Sequence, residues 1–145
     1  MNNVTVVGNI TRDPEIRFFS GDKSVVNTGL AVNKSFKNAS GEWQEETDFV
    51  DLSIWQNAGA ENVANSLSKG DRVIVSGALK QNTWQTDTGE NRSKVEITVL
   101  EIGPTMKWAE VSITKNAPKN RSGQQSYPSG IPAKDKVYET PEEEF

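Results

Sequence analysis

Three aromatic side chains fall on strand faces where polar residues are expected, and a fourth lies at the end of a strand. Between residues 47 and 55 apolar and polar residues alternate, and Phe49 and Trp55 share the polar face. Trp84 lies on the polar face of a later strand. Phe36 lies where another strand enters a hairpin, and the face on which its ring lies depends on whether Gly29 introduces a bulge. Flat rings on a solvent-facing surface can stack on nucleobases, and each stacked base is worth roughly 1–3 kcal/mol whatever its identity.

Lysines close to these rings add the charge that such a surface needs. Lys34, Lys37 and Lys80 could hold phosphates without reading bases. For one exposed ring alone, a subunit interface or a partly buried packing role is the favoured alternative. Four rings beside lysines favour a platform for single-stranded nucleic acid, whereas Trp43 and Trp108 are assigned structural or interface roles.

The composition argues against an enzyme. The chain contains no cysteine and no histidine, which excludes thiol chemistry, disulfides, the usual zinc sites and histidine-based triads. The carboxylates of residues 42–51 could hold magnesium in a nuclease, but they form no paired-carboxylate motif and are more typical of a solvated hairpin. We therefore expect a protein without enzymatic activity, metal or cofactor.

The charge balance gives no general attraction for polyanions. The net charge is −4, and residues 1–117 hold 12 basic against 15 acidic residues. Binding of a polyanion must therefore depend on local placement of cations and on stacking. The N-terminal residues lack the pattern of a signal peptide, and no apolar run is long enough for a bilayer, so we expect a cytoplasmic protein that does not bind membranes.

The elements that must position these residues are mostly strands. Strand patterns occupy residues 4–7, 15–19, 25–36, 47–55, 72–84 and 94–102, and one helix is predicted over residues 58–69. In the strands at 72–84 and 94–102, every second residue should point into the core, namely Val73, Val75, Gly77, Leu79, Val95, Ile97 and Val99. This order predicts an all-β fold, a five-stranded Greek-key barrel of the OB-fold kind with one short helix. An extra C-terminal strand is predicted at about residues 105–115, where it would contact another subunit.

The remaining residues predict a tail. From about residue 116 the chain is rich in Asn, Ser, Gln, Gly, Pro and Lys, so it cannot bury enough apolar surface and should be disordered. We therefore divide the chain into a barrel domain, residues 1–115, and a linker with an acidic tip, residues 116–145. The tip is typical of a tethered ligand for a partner's pocket, although a frayed solubilising terminus is an open alternative. Its residues are Glu142, Glu143, Glu144 and Phe145.

The sequence resembles bacterial single-stranded DNA-binding proteins (SSB). The likeness extends over about residues 3–104. It depends on Trp84 followed by Gly89 and on short motifs before them: VVGNI at 6–10, DPEIR at 13–17, GE at 41–42, ENVA at 61–64, KG at 69–70 and VSG at 75–77. Residues 103–115 most resemble actinobacterial or actinophage members, whose extra strand clamps subunits together. The acidic end resembles the family's C-terminal peptide.

The resemblance implies sequence-independent binding of single-stranded DNA in replication, recombination and repair. It also implies a homotetramer, and a C-terminal tip that recruits replication and repair proteins. By motif, the stacking positions are Phe36, Phe49, Trp55 and Trp84. The phosphate contacts fall on Lys37, Lys69 and Lys80. Lys34 is a fourth candidate for phosphate binding, because it lies close to Phe36 in the sequence.

Some positions depart from the family pattern. Asp51 stands where the family often has an arginine, Asn82 and Thr83 replace basic residues, and Glu144 rather than proline precedes Phe145. Fewer cations predict weaker and less salt-sensitive binding. The alternative function is an OB-fold scaffold in a replication-restart or secretion complex, whose rings contact protein and which has little affinity for DNA.

Overall fold

Six strands and one short helix form in the computed structural model, which describes residues 1–118. The strands are β1 (Val4–Ile10), β2 (Glu15–Phe19), β3 (Lys23–Lys37), β4 (Trp43–Trp55), β5 (Arg72–Gln85) and β6 (Asn91–Pro104). A 3-10 turn, Gln56–Ala58, precedes the helix α1, Ala60–Ser66. All of these elements belong to one unit, Met1–Ser112, and the described residues of a second unit, 113–118, contain no helix or strand.

Five of the strands close into a barrel. The strands pair in the order β1, β5, β6, β4 and β3, and β3 pairs with β1 again at Asn9↔Ala31 and Ile10↔Leu30. All pairs are antiparallel except β4 with β6, whose parallel register joins Asp51 to Glu96. This arrangement confirms the predicted five-stranded OB-fold barrel with a short helix between its third and fourth strands.

The extra strand lies elsewhere than predicted. It is β2, which pairs with the start of β3 and lies outside the barrel. Residues 105–118 form no strand, so the location predicted for the extra strand at about 105–115 is wrong for the single chain. A strand needs a partner edge. After β6 ends, the Thr105 N–H still donates to the Arg72 carbonyl at 2.9 Å, but the chain then leaves the sheet.

The barrel interior is filled by aliphatic side chains from the strands and α1. The core predictions for Val73, Val75, Ile97 and Val99 are confirmed, since each of these side chains is at most 2% exposed. The apolar stripe of α1 is buried through Ala60, Val63 and Leu67. None of the helices in residues 1–118 is both long and apolar enough to cross a membrane.

Two hairpins extend beyond the barrel, and they change the predicted core. Residues 33–37 pair with 43–47 (the β3–β4 arm), and residues 81–85 pair with 91–95 (the β5–β6 arm). The core predictions for Leu79 and Val95 are wrong, because these side chains are 44% and 51% exposed. The β1–β5 pairing stops at Gly77, so Leu79 lies at the open rim and Val95 lies in the arm.

Two glycines allow close contacts that shape the sheet. A Cβ on Gly77 would collide with the Thr98 carbonyl oxygen, and the β5–β6 register shifts between Ser76 and Gly77. At Gly29 no bulge forms, and β3 and β4 pair without interruption from Val25↔Trp55 to Lys37↔Trp43. The missing side chain of Gly29 instead makes room for residues 11 and 12, which cross β3 at this point.

Candidate nucleic-acid interface

Three of the four predicted stacking rings share the outer face of the barrel. Phe49 and Trp55 alternate with buried Leu52 and Ile54 along β4, so they point away from the core. Trp84 has the same outward orientation on β5, opposite Arg92 of β6. Their exposed fractions are 76%, 42% and 46%, so each ring presents surface to solvent.

Phe36 occupies a different face. It pairs with Gln44 in the β3–β4 arm, whereas Phe49 pairs with Ala31, and the two rings therefore lie on opposite faces of that hairpin. The face of Phe36 is the one that buries Leu30 further along β3. Because the arm extends past the barrel, Phe36 is still 42% exposed. The structure thus brings together Phe49, Trp55 and Trp84 but not Phe36.

Lys34 is engaged by carboxylates. Its ammonium lies 3.1 Å from Asp48 and 3.2 Å from Glu46, both of which belong to the strand opposite. Hydrogen bonds to Asp48 and then to Glu46 raise the pKa of Lys34 above its ordinary value. The ammonium therefore remains charged at neutral pH, but two acidic neighbours already neutralise it.

Lys37 lies against a ring that the sequence did not assign to stacking. Its ammonium is 5.2 Å from the centre of the Trp43 ring, directly opposite in the register. Trp43 is 70% exposed and lies on the same face of the hairpin as Phe49. A cation over an indole face stabilises both groups and leaves an exposed basic and aromatic pair at the end of the β3–β4 arm.

The other two predicted phosphate contacts lie in different places. Lys80 is exposed on the outer face of β5, on the same side as Trp84 and opposite Glu96. Lys69 lies in the turn after α1, where its backbone N–H donates to Asp13 Oδ1 at 2.8 Å. Lys80 therefore borders the three rings, whereas Lys69 is positioned by the β1–β2 turn rather than by the strands that hold the rings.

An acidic residue with two cations lies on β4 between two of the rings. Asp51 shares the outer face with Phe49 and Trp55, and its carboxylate forms ion pairs with Arg12, at 3.3 Å, and with Lys94. Arg12 comes from the β1–β2 turn and Lys94 from β6, so this ion-pair cluster links three parts of the outer face. We call these three residues the Asp51 cluster.

A family model identifies this chain. The model for the single-strand binding protein family matches residues 1–105, which include every strand, the helix and the face just described. The chain belongs to the single-strand binding protein family.

Relatives at the sequence level come mostly from actinobacteria, as the resemblance predicted. The chain is 43% identical over 122 residues to the single-stranded DNA-binding protein of Paenarthrobacter aurescens, covering 83% of this chain and 71% of that protein. It is 46% identical over 122 residues to that of Mycobacterium leprae, with coverage of 83% and 70%. These relatives are named as DNA-binding proteins, in agreement with the expectation that the chain is not an enzyme.

Solved structures show the same fold at lower identity. The Plasmodium falciparum SSB in complex with ssDNA superposes with a TM-score of 0.65 at 22% identity, covering 72% of this chain and 95% of that one. A deletion mutant of the Thermus aquaticus single-stranded DNA binding protein gives 0.64 at 25% identity, covering 74% and 52%. The OB-fold barrel is therefore shared across distant members of the family.

Sequence reasoning missed two parts of this family member's outer face. Phe19 of β2 contacts Trp55, and the only sequence signal for it was the alternation that places Arg17 and Phe19 on one side of β2. The ion pair between Arg12 and Asp51 joins residues 39 positions apart, and no local pattern predicts it. The predicted linker from residue 119 onward and the tip residues Glu142, Glu143, Glu144 and Phe145 lie outside the described residues.

Proposed function

We propose that this chain binds single-stranded DNA without sequence preference, by stacking unpaired bases on Phe49, Trp55 and Trp84. The observation that supports the proposal is the exposure of these three rings on one outer face of a barrel that belongs to the single-strand binding protein family. Rings accept any base, so this surface would bind DNA without reading its sequence. Duplex DNA hides its base faces in the stack and would bind poorly.

The rings would bind separate bases. Phe49 and Trp55 are six residues apart on one strand, which corresponds to about 20 Å. Trp84 extends the surface onto the β5–β6 arm. A single strand that contacts all three rings would therefore cross β4, β6 and β5, and Phe36 would take part only where the strand continues around the β3–β4 arm.

Phosphate contacts would make a smaller contribution than in a basic protein. Lys80 is exposed on the face of the rings and Lys37 is exposed at the end of the β3–β4 arm, whereas two carboxylates neutralise Lys34. Lys69 could contact only a strand that extends towards the β1–β2 turn. Stacking should therefore dominate the binding free energy, and the salt dependence should be shallow.

Fluorescence anisotropy with labelled oligothymidine tests this function. We expect binding of the single strand at protein concentrations that leave a labelled duplex of the same length unbound. Equal binding of both forms would instead indicate a general polyanion binder. No binding of either would refute the proposal.

We further propose the family's wider role for the whole chain. Copies of the barrel domain, residues 1–115, would assemble into an oligomer, which the family resemblance makes a homotetramer. The assembly would act in the cytoplasm and on the nucleoid, or in those of the host if a phage encodes the chain. The linker, residues 116–145, would present Glu142, Glu143, Glu144 and Phe145 to replication, recombination and repair proteins. An apolar ring beside carboxylates suits an apolar pocket with a basic rim. Light scattering tests the assembly, and deletion of residues 142–145 should abolish partner binding without loss of DNA binding.

A second candidate function follows from the neutralised cations. Carboxylates engage Arg12 and Lys94 beside the rings and Lys34 on the opposite face of the hairpin, which leaves few free positive charges near the rings among residues 1–118. Such a face would suit a protein-interaction scaffold in replication restart that has little affinity for DNA. The oligothymidine titration separates the two functions, because a scaffold of this kind would show no anisotropy change.

A further inference from the structure

The Asp51 cluster lies in the path that a bound single strand would take. Asp51 is two residues from Phe49 and four residues from Trp55 on the same face of β4. A strand stacked on both rings must cross this carboxylate, and its phosphates would be repelled by it. The two cations beside it would attract the same phosphates.

We propose that Arg12 and Lys94 form a phosphate-binding pair that Asp51 occupies in the free protein and yields when single-stranded DNA binds. Asp51 would thereby lower both the affinity and its salt dependence. This inference rests on the proposed function, since it concerns the same face and the same ligand.

The burial of the three side chains fits an exchange of partners. The Asp51 side chain is 19% exposed, whereas those of Arg12 and Lys94 are 57% and 59% exposed. The carboxylate is thus fixed on the strand, and each cation keeps solvent-facing surface that a phosphate could reach. Exposed ion pairs contribute little free energy, so a multiply charged strand can compete for the cations.

The backbone directs Arg12 to this position. The Thr11 N–H donates to the Gly29 carbonyl at 2.9 Å, and Thr28 Oγ1 donates to the Arg12 carbonyl at 2.6 Å. A side chain at position 29 would collide with Thr11 and crowd the Arg12 guanidinium. Gly29 lies directly opposite Asp51 in the register, so its missing side chain lets Arg12 cross β3 to the carboxylate.

The charges that face the cluster come from neighbouring strands. Glu96 of β6 lies beside Asp51 in the parallel register, and Lys80 of β5 lies opposite Glu96. Within residues 1–118, Lys80 forms no ion pair, in contrast to Lys94 one strand away. A phosphate that contacts Lys80 therefore displaces no carboxylate, whereas one that contacts Lys94 must displace Asp51.

The test is the salt dependence of oligothymidine binding to the full chain with Asp51→Asn. Asparagine keeps the shape of the side chain and removes its charge. Removal of this one negative charge, which the two cations share, should steepen the slope of log K against log salt by about 0.7. At low salt the affinity should rise roughly three- to tenfold, the range expected for two exposed ion pairs, and the gain should shrink as salt is added.

Glu61→Gln is the matched control. It removes the same charge from an exposed position in the first turn of α1, where Glu61 forms no ion pair with any residue of the described range 1–118. The inference is supported if Asp51→Asn steepens the slope and Glu61→Gln does not. Equal slopes for Asp51→Asn and the wild type would overturn the inference while the proposed function stands, whereas absence of wild-type binding would refute both.

A second pair of variants covers the case in which Asp51→Asn does not fold. With Asp51 retained, Lys94→Gln should flatten the salt slope by less than Lys80→Gln does. Equal losses from the two variants would show that Asp51 masks nothing.

Discussion

Phe19 stacks on Trp55, with ring centroids 6.3 Å apart and ring planes inclined by 29°. The two rings come from strands that do not pair with each other. Both β2 and β4 pair with β3. Val25 of β3 pairs with Arg17 of β2 on one side and with Trp55 of β4 on the other. The extra strand β2 therefore enlarges the aromatic surface beside the barrel.

Phe19→Ala should weaken oligothymidine binding, because Trp55 loses the ring that orients it. An aromatic pair of this kind is worth about 0.5–1.5 kcal/mol. Phe18→Ala is the control, since Phe18 is 68% exposed on the other face of β2. Anisotropy titrations that show the same loss for both variants would contradict the role given to Phe19.

Trp84→Ala should weaken binding by about 1–3 kcal/mol, which is the loss expected for one stacked base. The matched variant is Trp108→Ala, which removes an exposed indole that lies against Arg72 and Lys107, at 4.6 and 4.8 Å from their side-chain cations. We expect the Trp108 variant to bind with wild-type affinity. A titration in which Trp84→Ala also binds normally would place the DNA elsewhere.

Lys34→Gln should change the salt dependence less than Lys80→Gln does. Asp48 and Glu46 neutralise Lys34, so few counterions are released when DNA approaches it. Loss of a free lysine should flatten the slope by about 0.7. If titrations over a range of salt give a larger change for Lys34, the ion pairs must dissociate on binding.

Gly77→Ala should destabilise the barrel by about 1–3 kcal/mol, because its Cβ would collide with a backbone carbonyl that cannot move without breaking the β5–β6 pairing. Gly103→Ala is the control, since a Cβ there meets nothing within 4 Å. Melting temperatures at one fixed protein concentration compare the two variants. Equal melting temperatures would show that the sheet adjusts around residue 77.

The order of the strands and most of the core could be predicted from the alternation of apolar residues. The limits of that alternation also explain the errors. Leu79 and Val95 have the pattern of core residues, but the barrel ends before them, and only the pairing of β1 with β5 shows where it ends. The pattern at residues 105–115 is that of a strand, yet a strand also needs an edge to pair with.

The candidate site was predictable only in part. The outward faces of Phe49, Trp55 and Trp84 follow from local alternation. The face of Phe36 depended on whether Gly29 shifts the register, which the sequence could not decide. The pairing of Arg12 with Asp51 and of Phe19 with Trp55 depends on the closure of the barrel and the position of β2, which are long-range properties.

The most direct test of base stacking on the outer face is quenching of tryptophan emission by oligothymidine. Trp55 and Trp84 lie on that face at the proposed stacking positions, whereas Trp43, on the same face, lies at the end of the β3–β4 arm. The account predicts that oligothymidine quenches the wild type and that the double variant Trp55→Phe, Trp84→Phe loses most of the quenching while anisotropy shows the strand still bound. Unchanged quenching in the double variant, or none in the wild type, would contradict it.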